Sequence, residues 1–102
     1  MAAKIIWSPE AADDLEEIAH FIERGSPRYA RQVASEVLGS VEKVADSPRS
    51  GPAVLEFDHP DIRQVRVYDY RVIYRVSGDA VHIAAIIHGA RDLLKAIGDR
   101  SI

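Results

Sequence analysis

At 102 residues, with 47% apolar and 28% charged side chains, the chain fits one domain over residues 1–102 and is too hydrophobic for wholesale disorder. The absence of cysteine excludes disulfides, thiolate zinc sites and cysteine nucleophiles, and suits a reducing cytoplasm. A net charge of −3 excludes a general electrostatic magnet for nucleic acid, leaving room only for a local positive patch such as Arg63, Arg66, Arg71 and Arg75.

The apolar run Lys4–Trp7 reads as a short strand, far too short for a signal peptide core or a membrane span, so a cytoplasmic location is expected. Ser8-Pro9 then opens a helix. Serine caps free N–H groups, proline is tolerated at the first position, and the acidic residues that follow suit the positive end of the helix dipole. Ala11, Leu15, Ile18 and Ile22 form one buried stripe, and Gly25 ends the helix. Ser26-Pro27 repeats the start signal, and Ala30, Val33, Ala34, Val37, Leu38, Val41, Val44 and Ala45 give the second helix a broader apolar face. Asp46-Ser47-Pro48 stops it. The short link predicts an antiparallel helical hairpin. Residues 49–60 are rich in proline and read as a loop, with Leu55 and Phe57 as possible anchors.

After the loop the apolar period becomes two, predicting three strands. A primed turn at Gly78-Asp79 pairs Val76 with Val81, Tyr74 with Ile83 and Val72 with Ala85, all on one face. A turn at Tyr68-Asp69 pairs Val67 with Tyr70 and Val65 with Val72 on that same face, which the helical hairpin is expected to cover. A short helix over residues 90–97, ended by Gly98, closes the chain. The fold class is therefore α+β.

The opposite, uncovered face then carries Arg66 across from Arg71 and Arg75 across from His82. Like charges directly across a strand pair are destabilising, so stability alone does not favour this arrangement. Guanidinium groups so placed can grip phosphate or carboxylate oxygens. With Arg91 and His88 just beyond, they outline an anion- or target-binding face of Arg66, Arg71, Arg75 and Arg91. The bland alternative is solvated arginines, or arginines paired with loop carboxylates such as Glu56 or Asp58. His20, His59, His82 and His88 lack the helical spacing of metal pairs, and no glycine-rich phosphate loop is present, so neither metal nor cofactor is expected.

Trp7-Ser8-Pro9-Glu10-Ala11 with Asp14-Leu15 and Ile18, the run Tyr70-Arg71-Val72-Ile73-Tyr74-Arg75-Val76, and Ile87-His88-Gly89-Ala90-Arg91-Asp92 occur in the element order described above. Together they resemble the RelE/ParE superfamily of type II toxin–antitoxin systems, over nearly the whole chain and closer to the ParE-like members. The resemblance implies a growth-inhibiting toxin, associated with roles such as plasmid stabilisation. Its partner would be a cognate antitoxin, small and DNA-binding, whose flexible tail folds on the toxin to make a hetero-oligomer. RelE-like members cleave messenger RNA on the ribosome; ParE-like members inhibit DNA gyrase.

Under the RelE-like reading, Arg71 and Arg91 match two arginines of the active face, with His88 as a substitute acid or base, making a catalytic set of Arg71, Arg91 and His88. The lysines of that family fall near Ile62 and Gln64 here, and its C-terminal tyrosine near Ile97, none of which can transfer a proton. That loss favours the ParE-like, non-enzymatic reading. A decayed toxin that only binds its antitoxin is the third possibility.

Overall fold

The computed structural model describes residues 2–102; Met1 lies outside them. Strand β1 (Lys4–Trp7) leads into α1 (Pro9–Glu23) and α2 (Pro27–Asp46). Strands β2 (Ile62–Val67), β3 (Tyr70–Ser77) and β4 (Ala80–His88) follow, then α3 (Leu93–Ile97). The predicted caps are in place: Ser8 accepts from the Ala11 N–H at 3.0 Å and Ser26 from the Tyr29 N–H at 3.1 Å, each followed by proline in the first turn. The terminal helix starts later than the sequence reading has it, because Asp92 accepts from the Lys95 N–H and caps it there.

The sheet order is β1-β4-β3-β2. The meander is antiparallel, and β1 adds to β4 in parallel, with Ile5 beside Val81 and Trp7 beside Ile83. Both predicted hairpins form. Gly78 occupies positive φ (58°) without cost at the first central position of its turn. Tyr68 takes the same role at φ 51°, a strained choice for a bulky residue. It is held there by Tyr29, whose ring packs edge-on at 5.8 Å, and by Gln32 Nε2, which donates to its hydroxyl at 2.9 Å.

One predicted pair is wrong. Val72 faces Ile86, not Ala85, because β4 carries a bulge beyond Ile83. A single extra residue inverts the side-chain parity of everything after it. Ile86 consequently turns toward the helices, while Ala85 and Ile87 turn away. The backbone groups at the bulge are not left bare. Ile86 N–H donates to Asp14 Oδ2 at 3.0 Å, and the Ala84 carbonyl accepts from Ser8 Oγ at 3.4 Å and Arg100 Nη1 at 3.3 Å.

The inversion changes the second face of the sheet, which is not bare as expected. Between the helices and the sheet lies the predicted core of Val33, Val37, Val41, Val72, Tyr74 and Ile83. On the other side Ile62, Ile73, Ala85 and Ile87 pack beneath Val54 from the long loop and Leu93 and Ile97 from α3. Val54, not Leu55, anchors that loop: Val54 is fully buried and Leu55 is 93% exposed. On the second helix Leu38 is half exposed, so the buried stripe is narrower than its apolar content suggests.

Candidate functional site

Strand pairing sets Arg66 directly across from Arg71, on the face away from the helices. The two guanidiniums have different surroundings. Arg71 is buried and donates Nη1 and Nη2 to the Glu56 carboxylate at 2.8 and 2.9 Å, and Nε to Gln64 Oε1 at 2.6 Å. Each of its three nitrogens is thus engaged. Hydrogen bonding from Arg71 holds the Glu56 carboxyl below its ordinary range, against the opposing effect of burial, and the same bonds raise the Arg71 pKa. The carboxylate reaches Arg71 because Val54 and the half-buried Phe57 pin the turn on either side of it.

Arg66 is exposed and, among the described residues, has no carboxylate within ion-pair distance. Its guanidinium lies over Gly89, where a side chain's Cβ would stand 2.8 Å from Nη1. Glycine keeps that close approach open.

Arg91 and His88 lie on the other side. The bulge turns His88 toward Tyr70, whose ring it meets edge-on at 5.4 Å, and His88 Nδ1 accepts from the Ala90 N–H at 3.1 Å. Arg91 then joins a groove of about 240 Å³ with Phe21, Ile18 and Glu17 of α1 and Tyr70 and Ile86 of the sheet. Phe21 is 67% exposed there. Arg75 sits at the far end of β3, opposite His82. The anticipated cluster is therefore divided: Arg66 with Arg71 on one face, Arg91 with His88 beside α1, and Arg75 apart from both.

The carboxylates that matter escaped the sequence reading or were only half seen. Spacing alone leaves Glu56 and Asp58 equally placed to meet the arginines, and the fold brings Glu56 to Arg71. Asp14 looks like one more acid on a wet helix face, yet its side chain is 12% exposed and forms a bidentate pair with Arg100, both contacts at 2.7 Å. Its place one residue before Leu15 on the buried stripe is the only available hint. Among the described residues, no three His, Asp or Glu side chains cluster as metal ligands would, and no helix is long and apolar enough to cross a membrane.

The Glu56–Arg71 pair makes stability depend on pH. A carboxyl whose folded pKa lies below its ordinary 4.5 contributes stability above that value and loses it as pH falls through the folded pKa. Glu56→Gln is expected to cost about 1–2 kcal/mol at pH 7, a figure kept low because a third of the carboxylate side chain meets solvent. The difference from the unmodified protein should shrink as pH falls below 4.5 and vanish in stronger acid, once the folded carboxyl is itself protonated. Urea denaturation at both pH values measures it, and a cost that persists unchanged in acid would mean that the charge of Glu56 plays no part.

Over residues 5–93 the chain matches the family described as the ParE toxin of type II toxin-antitoxin system, parDE. It belongs to the ParE toxin family. Solved structures similar to this ParE-family toxin include one from the chromosomal ParDE TA system of P. aeruginosa, with 20% identity and a TM-score of 0.69 over 85% of this chain and 96% of that one. E. coli toxin RelE, in the free state and with two arginines replaced by alanine, is 17% identical with a TM-score of 0.69, covering 94% of this chain and 93% of that one. The toxin-antitoxin complex RelBE2 from Mycobacterium tuberculosis gives 20% identity and a TM-score of 0.59, over 86% and 99% of the respective chains. At such identities these structures establish the shared fold. No curated protein sequence matches the toxin.

Proposed function

We propose that this ParE-family toxin acts by binding, as an inhibitor of DNA gyrase in the cytoplasm, and that a cognate antitoxin holds it inactive. The observation that carries the reading is the state of Arg71. Cleaving RNA at a 2′-hydroxyl needs a proton acceptor within hydrogen-bond reach and unspent cations around the phosphorane-like transition state. Arg71 already grips Glu56 and Gln64, and Arg91 and His88 lie on the other side of the sheet. Ile62 and Ile97, at two positions where the resemblance expects proton-transfer residues, are buried in the second core. An inhibitor needs none of that machinery, only a shaped surface, and exposed Arg66, Phe21 and Arg91 supply contact groups of the kind that dominate protein interfaces.

The antitoxin partner follows from the family. A flexible tail that folds along the toxin would find apolar anchorage at Phe21 and Ile18 and charged contacts at Glu17 and Arg91.

Two assays on the purified toxin separate the mechanisms. Gyrase supercoiling of relaxed plasmid is expected to stop with toxin and resume with added antitoxin, while toeprinting on translated messenger RNA shows no new cuts. Cuts at the ribosomal A site with gyrase unaffected would replace this reading with the ribonuclease. Failure of both, alongside a tight antitoxin complex, would mark a toxin that has lost its target.

A further inference from the structure

Two guanidiniums in this fold grip a carboxylate through both terminal nitrogens, Arg71 with Glu56 and Arg100 with Asp14. The two acids are bound in different ways. Asp14 also accepts the Ile86 N–H, so its carboxylate joins three parts of the chain. Glu56 has Arg71 as its one side-chain partner among the described residues. Its side chain is 34% exposed, whereas that of Arg71 is 11% exposed. The cation is fixed in the fold and the anion stands at its edge.

The backbone that carries Glu56 is held independently of the ion pair. Residues 54–57 form a turn in which the Phe57 N–H donates to the Val54 carbonyl at 3.2 Å, and the Val54 N–H donates to the Ile62 carbonyl at 3.0 Å. Val54 and Phe57 pack into the second core, while Leu55 points to solvent. Glu56 can therefore leave Arg71 by a change of rotamer, with the turn in place. Arg71 would not follow, because its Nε donates to Gln64 Oε1 at 2.6 Å and keeps the guanidinium oriented. Arg66 stands directly across the strand pair, exposed and uncommitted to any described carboxylate. The Cβ atoms of such partners are about 4.5–5.5 Å apart. With Glu56 withdrawn, the face presents an open guanidinium fork, a second cation and the amide donors of Gln64. A cation so poorly exposed to water needs another oxyanion in place of the lost one. A phosphate group answers this set better than a carboxylate, since its additional oxygens reach all three groups.

We propose that Glu56 is the built-in gate of a phosphate-binding site on the outer face of the sheet, an internal carboxylate that fills the Arg71 fork until a phosphate group displaces it. Arg71 Nη1 and Nη2 receive two phosphate oxygens, Arg66 supplies the second charge, and Glu56 turns outward beside Leu55. No bond is made or broken. An open Arg71 gains no proton acceptor, so the site holds a phosphate without cleaving it and does not depend on the gyrase reading. The phosphate belongs to a free phosphoester or to a nucleic-acid backbone.

Titrating inorganic phosphate into the 15N-labelled toxin at neutral pH tests the gate, with the Arg71 Nε–H as reporter and the amide spectrum as the check on folding. Glu56→Gln and Glu56→Asp should each bind about tenfold more tightly than the unmodified protein, with a Kd on the order of 1 mM for so small a ligand. Glu56→Asp keeps the charge of the loop but is one methylene too short for the two-pronged contact. A gain there shows that reach, and not net charge, closes the site. Asp58→Asn removes an exposed charge from the same loop and should leave the affinity unchanged. Adding Arg71→Lys to Glu56→Gln should return binding to the unmodified level, because an ammonium has no fork. An octathymidylate that binds the Glu56→Gln protein more tightly than phosphate would support the site with a nucleic-acid backbone as source, and the reverse order would support it with a free phosphoester. Equal affinities for the unmodified protein and both Glu56 variants, or an equal gain from Asp58→Asn, would overturn the proposal.

Discussion

Replacing Asp14 by alanine is expected to destabilise the toxin by about 3 kcal/mol, since breaking a buried ion pair strands the partner charge. For a domain of this size that corresponds to a fall in Tm of roughly 12–24 °C. The aspartate serves three elements together. From α1 it grips Arg100 in the C-terminal segment through both oxygens, and it accepts the Ile86 N–H at the bulge of β4. Alanine would leave that N–H without an acceptor and Arg100, 19% exposed, without its partner. Arg100 also donates to the Ala84 carbonyl, so its departure would loosen the bulge from its other side. Thermal denaturation monitored by circular dichroism reads the effect, with Asp13→Ala as the exposed neighbour whose cost should stay within about 0.5 kcal/mol. A double replacement of Asp14 and Arg100 should recover part of the loss, because no charge is then stranded. Equal, small losses from Asp13→Ala and Asp14→Ala would mean that solvent screens the pair.

The second large effect is expected at Gly51. A Cβ there would stand 2.5 Å from the Tyr74 hydroxyl and 2.6 Å from the Gln64 carbonyl oxygen, closer than real carbon atoms approach either. Neither neighbour can yield readily. Tyr74 is fully buried and donates to the Pro48 carbonyl at 2.8 Å, while the Gln64 carbonyl belongs to strand β2. The segment carrying Gly51 is tied down as well, with Gln64 N–H donating to the Pro52 carbonyl and Val54 N–H to the Ile62 carbonyl, both at 3.0 Å. Gly51→Ala should therefore cost about 2–3 kcal/mol by overpacking, measured as a lowered urea midpoint at unchanged m-value. Removing the hydroxyl as well, with Tyr74→Phe, should rescue only part of it, since the backbone contact to Gln64 remains. A midpoint equal to that of the unmodified toxin would show that the 49–54 segment shifts freely away from β2.

The candidate site was legible up to a definite point. Hairpin geometry was enough to set Arg66 across from Arg71, since two-residue turns fix the pairing beside them. It could not reveal that Arg71 is occupied, because Glu56 arrives from a loop whose course depends on where Val54 and Phe57 bury. Nor could it separate Arg91 and His88 from the other arginines. Uninterrupted alternation along β4 puts His88 on the outer face with His82, and the bulge beyond Ile83 carries it to the side of Tyr70 and α1. That same inserted residue accounts for the wrong Val72 pair and turns Ala85 and Ile87 into the second core, beside Ile73, which alternation along β3 already places on that face.

Local chemistry by itself determined the helical hairpin, with Ser8-Pro9 and Ser26-Pro27 as its starts, the two β-turns, the face that the helices cover, and the resemblance to a toxin family. Those features depend on neighbours in sequence, whose spacing is fixed by the covalent chain. The tertiary structure alone decided which carboxylates meet which arginines, which side of the sheet His88 joins, and what covers Ile73 and Ile87. Such contacts join residues separated by up to 86 positions, as in Asp14 with Arg100. They are chosen by whichever arrangement leaves the fewest charges and backbone groups unpaired, a condition of the whole fold that no local stretch contains.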